Sequence, residues 1–209
     1  MLSVGLAPGL TNLMVKRLAA PLEVREEAVI AVRLGLGEQH GDLAVEWTLR
    51  QLAASASWST LTTFDYPGEG SVSAIPIDLA DQHVVRRTLG FDRARTLMTL
   101  ESSAWTRGVA LLAPALRRRW LLAGVRRLFP YLRLGRDAWT VAVEVRGVAD
   151  GHPIRSLLAA EGVSEANGTA AVAARLVQLL EARRRPGVFH VEQLFELEEA
   201  LDGVDVVLR

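Results

Sequence analysis

The stretch AWTVAVEVRGVADGHPIRSLLA, residues 138–159, decides the fold. In its first part Trp139 and three valines alternate with small or polar residues, which is the period-two pattern of a strand with one buried face. Asp150-Gly151 is a signal for a two-residue hairpin turn. His152–Ala159 is the expected return strand, because a proline is tolerated near a strand start. The sequence therefore predicts an antiparallel pair of strands near the C-terminus.

The rest of the chain alternates strands with helices. Four further segments have strand patterns: Ala28–Leu36, Ser59–Phe64, Ser71–Ile77 and Ala94–Leu100. Helices are expected from Thr11 or Asn12 to Ala20, over Leu43–Ala54, Gln82–Leu89, most of 101–136, Thr169–Arg183 and Val191–Leu201. This order predicts an α/β protein of the α+β type, with a mixed, largely antiparallel sheet and helices packed mainly on one face. No linker or repeat divides residues 1–209, so we expect a single domain.

The composition excludes several classes of protein. The chain has 209 residues, no cysteine, and 24 basic against 24 acidic residues. Without cysteine there is no disulfide scaffold, thiolate zinc site or cysteine nucleophile. A net charge of zero argues against nucleic acid as a partner. No leader pattern precedes an apolar run, and no apolar stretch reaches the roughly 20 residues of a membrane span, so a cytoplasmic location is expected.

A glycine-rich segment partly matches a dinucleotide-binding turn. An expected strand leads into Gly35-x-Gly37-x-x-x-Gly41 and then into a helix, the order in which glycines let a backbone approach a pyrophosphate. The match is imperfect, because His40 stands where the third glycine belongs and Glu38 would repel phosphate. The segment is either an ordinary strand-to-helix turn or the cofactor site of a small self-contained reductase.

Several motifs resemble one known family. Residues 5–14, GLAPGLTNLM, are similar to the junction that follows the nucleotide-binding domain in saccharopine dehydrogenase-like oxidoreductases. Residues 141–151 resemble the late sheet hairpin of that family's second domain. Asn167-Gly168-Thr169 at a helix start and Pro186-Gly187-Val188-Phe189 before the last helix follow in the same order. The resemblance covers most of the chain.

The resemblance implies a two-domain, NAD(P)-dependent oxidoreductase acting on a small-molecule substrate. In such enzymes a Rossmann domain binds the cofactor, and a second domain contributes substrate contacts and often the dimer interface. This chain has no G-x-G-x-x-G turn before Pro8. It therefore resembles the second, substrate-binding and oligomerisation domain, with the nucleotide-binding domain supplied elsewhere and no tight NAD(P) binding by the chain alone.

Candidate site residues lie at glycine turns and helix starts. His40 is the candidate catalytic residue, since a helix N-terminus lowers a histidine pKa and favours anions. The candidate substrate-binding residues are Thr11, Asn12, Glu38, Gly41, Asn167 and Thr169. For the pairs at the two helix starts, simple capping is the alternative. Asp65 and Tyr66, in an expected surface loop, could border the same cleft.

A basic segment supports a second hypothesis. Residues 107–136 contain eight arginines and no acidic residue, interleaved with Trp120, Phe129, Tyr131 and leucines. Such a segment could make the chain a non-enzymatic binding module that docks to an acidic partner or an anionic membrane surface. It could instead be a solvated helix face that pairs with the acidic C-terminal region, within the chain or across a dimer.

Overall fold

The fold is built on one seven-stranded sheet. The computed structural model describes residues 1–37, 41–56, 58–128, 134–183 and 185–209. Strand order across the sheet is β2-β3-β4-β1-β5-β6-β7. The strands are β1 (Val24–Leu36), β2 (Thr62–Tyr66), β3 (Gly70–Ile77), β4 (Arg93–Thr99), β5 (Leu134–Ala149), β6 (His152–Val163) and β7 (Val207–Leu208).

Helices connect these strands. They are α1 (Thr11–Ala19), α2 (Asp42–Ser55), α3 (Ala80–Leu89), α4 (Ser103–Leu112), α5 (Arg119–Leu128), α6 (Glu165–Arg183) and α7 (Leu197–Leu201). Short 3₁₀ turns cover Trp58–Thr60, Ala113–Arg117 and Val191–Gln193. An irregular turn at Leu6–Leu10, with a cis Ala7–Pro8 bond, precedes α1.

The sheet is mixed and mostly antiparallel. β1 and β4 run parallel, with Glu27 opposite Arg93 and Arg33 opposite Thr99. The other five strand pairs are antiparallel. The expected mixed sheet with helices mainly on one face is confirmed.

One face of the sheet carries the main core. Trp139, Val141, Val143 and Val145 of β5 point toward it, together with Ile30 of β1. Helices α1, α3, α6 and α7 cover these side chains with their own apolar residues. At the β3–β4 edge of the same face, α2 and α4 cover Ile75, Ile77 and Met98. The alternation within residues 138–146 thus buries one face of β5 under the helices, as predicted.

The opposite face is covered by the sheet itself. Its apolar cluster consists of strand residues alone, and Phe64 and Tyr66 of β2 pack there with Val29, Ala142 and Ala159 from β1, β5 and β6. Side chains of the first strand in the sheet order therefore meet those of the sixth. This contact requires a strong curl, in the direction that the natural twist of strands favours.

Several local predictions are confirmed and others are corrected. Asp150 and Gly151 both have positive φ, 51° and 73°, as a type I′ hairpin turn requires. The expected helix over Val191–Leu201 is wrong as one element, because it is split into the 3₁₀ turn and α7. The capping role of Thr11 and Asn12 is also wrong: the residue before α1 is Leu10, without a side-chain cap, and both polar side chains point into the core.

Candidate functional site

The candidate site lies at the carboxyl ends of the parallel strands β1 and β4. Arg33 of β1 has a side chain that is only 13 % exposed, and its Nη1 donates to Glu69 Oε2 at 2.6 Å. Its guanidinium carbon lies 3.9 Å from the ring centroid of Tyr66. Within the described residues its buried Nε has no hydrogen-bond partner. The guanidinium therefore keeps an unused donor at the end of the sheet where α/β proteins commonly bind ligands.

Tyr66 holds this arginine in place. The ring is nearly fully buried against Phe64, with 4.9 Å between centroids, and its hydroxyl lies 3.0 Å from Thr99 Oγ1. Burial raises the pKa of Tyr66 to about 12. It outweighs the hydrogen bond with Thr99 and the charge of Arg33, which both lower this pKa. The phenol is therefore neutral at physiological pH and serves as a rigid platform. The expectation that residues 65 and 66 form a surface loop is wrong, because both belong to β2.

A second charged cluster lies on the same face of the sheet. Glu144 of β5 is 3 % exposed and accepts hydrogen bonds at 2.7 Å from both Arg146 and Arg155. Burial alone would raise the pKa of Glu144, but hydrogen bonds from Arg155 and Arg146 outweigh it and hold the pKa below its ordinary value. Arg155 also contacts Asp65, at 3.0 Å. These ion pairs engage the carboxylates of Glu144 and Asp65 and connect β2, β5 and β6 of the curled sheet.

Thr11 and Asn12 belong to a closed polar network rather than to an open cleft. The Thr11 hydroxyl donates to Asp81 Oδ2 at 2.7 Å, and the Asn12 amide donates to Glu192 Oε2 at 3.2 Å. Thr88 donates to the other oxygen of Glu192 at 2.6 Å. Burial raises the pKa of Asp81, against the lowering effect of the Thr11 bond. The network joins α1 to α3 and to the 3₁₀ turn at Val191–Gln193.

The glycine-rich segment has a structural explanation. A Cβ on Gly35 would lie 2.1 Å from Arg136 O, and one on Gly37 would lie 2.8 Å from the carbonyl carbon of Arg136. These glycines make room for the backbone of β5, so they leave no cradle for a pyrophosphate. Gly41 precedes α2, and a Cβ there would meet open space. Glu38 and His40 lie outside the described residues. The described part of this segment does not fit a dinucleotide.

Asn167 and Thr169 are the third and fifth residues of α6. Asn167 is exposed, whereas Thr169 is partly buried and its Cγ2 lies 3.3 Å from where a Cβ of Gly5 would stand. The structure thus brings Thr169 next to the turn that precedes α1. Ser164, before α6, donates through its backbone N–H to Asp137 O, and Gly37 contacts the same segment of β5. The starts of α6 and β5 and the end of β1 therefore meet at one end of the sheet.

A shallow cavity of about 460 Å³ lies elsewhere, at the C-terminal end of α6. It is lined by Leu180, Arg183, Arg185, Pro186, Leu194 and Phe195. The guanidinium of Arg183 lies over the Phe195 ring and donates to Leu194 O and to Glu199. Its donors are therefore used within the fold, which makes this cavity a weaker candidate.

Sequence reasoning missed Arg33, Thr99 and Glu144. Arg33 is one of 23 arginines, and the signal that could have found it is that it is the one charge in the apolar strand pattern Ala28–Leu36. The signal that could have found Glu144 is a negative charge inside the alternating strand 138–146, two residues before Arg146 on the same strand face. Such a charge indicates a partner on the face away from the helices.

Comparison with known proteins gives no match, either to a family model or to a curated protein. Among the residues that the structure describes, no helix combines the length and apolar character needed to cross a bilayer. The same residues contain no group of three or more acidic or histidine side chains placed to hold a metal ion.

Proposed function

We propose that this chain is the substrate-binding and oligomerisation portion of a saccharopine dehydrogenase-like, NAD(P)-dependent oxidoreductase. In this proposal the chain works in the cytoplasm as a homodimer. A nucleotide-binding domain outside these 209 residues supplies the cofactor. The proposal starts from the motif resemblance and gains support from two features of the site.

The first feature is the packing of Gly35 and Gly37 against β5. Because backbone atoms of Arg136 and Ala138 fill the space beside these glycines, the turn does not fit a pyrophosphate. This agrees with cofactor binding by a different domain and argues against the small self-contained reductase. In this proposal the chain therefore lies on the substrate side of the reaction.

The second feature, which carries the proposal, is the buried Nε of Arg33 at the carboxyl end of β1. Arg33 is held flat by Tyr66, and its partner Glu69 has a side chain that is 50 % exposed. An exposed ion pair contributes little, so a substrate anion can replace Glu69 at small cost. A planar guanidinium with two adjacent donors binds a carboxylate in bidentate fashion. We infer that the substrate carries a carboxylate and that Arg33 positions it.

The other site assignments remain predictions within this proposal. His40 would exchange the proton at the reacting carbon, and Glu38, Gly41, Asn167 and Thr169 would line the substrate cleft. Thr11 and Asn12 have no direct access to such a cleft, since both are fully buried. Their role in the proposal is to hold α1 and α3 together on the helix-covered face of the sheet, opposite the face on which Arg33 stacks on Tyr66.

Two titrations test the proposal. In calorimetry the chain alone should show no micromolar binding of NADPH or NADH; tight binding would contradict it. In NMR titrations with succinate as a carboxylate probe, shifts should be centred on residues near Arg33 and be lost in Arg33→Gln. The matched control is Arg25→Gln, which changes a partly buried arginine at the other end of β1 whose Nη1 donates to Leu89 O at 2.6 Å. Succinate shifts that persist in Arg33→Gln would overturn the role of Arg33.

A further inference from the structure

Three helices leave large apolar side chains in solvent. Each of the following is at least 44 % exposed: Leu43 and Trp47 on α2, Trp105, Leu111 and Leu112 on α4, and Trp120 and Leu128 on α5. The helices are neighbours, because α4 leads through the Ala113–Arg117 turn into α5, and Arg126 of α5 pairs with Glu46 of α2. An exposed apolar surface of this kind usually marks a site of interaction.

Helix α5 has two distinct faces. Leu121, Leu122 and Val125 are partly buried and form its inner side. The outer side carries Arg119, Trp120, Arg127 and Leu128, all exposed, around the small residues 123 and 124. At about 100° per residue, Arg127 lies almost directly over Trp120 along the helix. Aromatic and cationic side chains thus alternate on one outward surface.

The charge of this surface is strongly positive. Residues 103–128, which run from α4 to α5, include six arginines and no aspartate or glutamate. Arg118, Arg119 and Arg127 are exposed, and the structure gives them no ion pair within the described residues.

The acidic C-terminal region is used elsewhere. Glu196 pairs with Lys16, Glu198 with Arg17, and Asp202 with Arg175. These three acidic residues pair with basic residues outside the segment 107–136. They therefore do not neutralise that segment within one chain, as the sequence had suggested they could. The positive charge of Arg118, Arg119 and Arg127 is left for another molecule.

We propose that the outer surface of α4 and α5 binds an anionic phospholipid membrane. Arginine side chains bind lipid phosphates in bidentate fashion, while tryptophan and leucine enter the headgroup boundary. The surface would lie on the membrane, not across it. This inference does not rest on the proposed oxidoreductase role, since none of its residues belongs to the Arg33 cluster.

The observations favour lipid over a second copy of the chain. In a twofold contact the same patch meets itself, so the arginines of one copy would face those of the other. That repulsion opposes a dimer through this surface, whereas an anionic membrane offers complementary charge over its whole area.

Vesicle sedimentation tests the inference. The chain is mixed with vesicles of phosphatidylcholine alone or of phosphatidylcholine with phosphatidylglycerol. We expect binding only to the anionic vesicles, weakening as salt screens the charges. The variant Arg118→Gln/Arg119→Gln/Arg127→Gln should bind on the order of 100-fold more weakly, from the typical contribution of each arginine near an anionic surface. The matched control, Arg86→Gln/Arg87→Gln/Arg93→Gln, removes three exposed arginines elsewhere and should bind as the parent does.

A second pair of variants tests the apolar part. Trp120→Ser/Leu128→Ser should weaken binding to anionic vesicles, whereas Val163→Ser/Val188→Ser, also exposed, should not. Circular dichroism and thermal midpoints show whether each variant is folded. Lack of binding to anionic vesicles at low salt, or equal binding to neutral vesicles, would overturn the inference. So would polyglutamate binding as tight as vesicle binding, which indicates an acidic protein partner. A dimer that Trp120→Ser/Leu128→Ser converts to monomer, without vesicle binding, would assign the surface to subunit contact instead.

Discussion

Arg155 on β6 and Asp65 on β2 form an ion pair at 3.0 Å, although four strands separate them in the sheet order. The pair is possible only because the sheet curls until its two sides approach each other. Arg155 shares its Nη2 between Asp65 and the buried Glu144, so three strands meet at one guanidinium. Because of this curl, strand residues from the two sides of the sheet pack on each other and cover the apolar face that the helices do not cover.

Removing the charge of Glu144 should destabilise this closure. In Glu144→Gln the side chains of Arg146 and Arg155 lose a charged acceptor, at an expected cost of about 2 kcal/mol in the free energy of unfolding. Asp65→Asn, at the exposed side of the same cluster, should cost less than about 1 kcal/mol. Urea denaturation measures both. Equal losses would show that the buried carboxylate has no special role.

Acid should weaken the fold through the same carboxylate. The pKa of Glu144 is lower in the folded state than its ordinary 4.5, so its contribution is present above pH 4.5 and is lost as the pH falls through the folded value. The free energy of unfolding, measured from pH 7 to below pH 4.5, should fall as the pH falls. This decrease should be smaller in Glu144→Gln than in the parent. A variant with the same acid dependence as the parent would contradict the assignment.

Asp81 should have the opposite pH dependence. Its folded pKa is raised by burial, so the ionised form is disfavoured in the fold and stability falls as the pH rises above the ordinary 3.8. Asp81→Asn keeps an acceptor for Thr11 and removes the buried charge. We expect a higher thermal midpoint at neutral pH and little change in strong acid. A lower midpoint at neutral pH would show that the charge stabilises the α1–α3 contact.

Tyr66 should titrate with a pKa of about 12. The chain has two tyrosines, so the titration is best followed by ultraviolet absorbance in a Tyr131→Phe background. Because the folded pKa exceeds the ordinary 10.0, stability should fall as the pH rises through the interval between the two values. Tyr66→Phe should lower the free energy of unfolding by about 1 kcal/mol, since the Thr99 hydroxyl loses its partner. A normal tyrosine titration would mean that the ring is not buried in solution.

Gly35→Ala should destabilise the fold through contact with β5. Its new Cβ would lie 2.1 Å from a backbone oxygen, and such overpacking typically costs about 1–3 kcal/mol or more. Gly124→Ala is the control, because its Cβ meets open space inside α5 and should stabilise the helix by about 0.5–1 kcal/mol. Thermal unfolding compares the two. If Gly35→Ala left the thermal stability unchanged, the close packing against β5 would be contradicted and this turn would again be a candidate ligand-binding loop.

The sequence predicted the parts of the fold that depend on neighbouring residues. The alternation at 138–146 defined β5 and its buried face, and Asp150-Gly151 defined the hairpin, because both patterns act over a few residues. The curl could not be predicted, since it depends on contacts such as Asp65 with Arg155, 90 residues apart. The burial of Thr11 and Asn12, which the sequence suggested as substrate-binding residues or caps, could not be predicted for the same reason: their partners, Asp81 and Glu192, lie 70 and 180 residues away.

The sequence did not predict the residues of the candidate site around Arg33. The sequence placed binding residues near the end of β1 and the start of α6, and the structure brings those segments to one end of the sheet. It did not single out Arg33. A local pattern shows that a residue is charged, but not that a tyrosine from a distant strand will cover it.

Trp139 packs against two glycines, so the residues tolerated at these three positions depend on one another. The ring lies opposite Gly162 across the β5–β6 pair, and a Cβ at Gly162 or Gly168 would lie 2.7 or 2.8 Å from the indole. Neither glycine can accept a side chain while the tryptophan is present, and a smaller residue at 139 would open a void bounded by both. Related sequences should therefore vary at these three sites as a set. The double variant Trp139→Leu/Gly168→Ala should therefore be more stable than the summed effects of the two single substitutions predict.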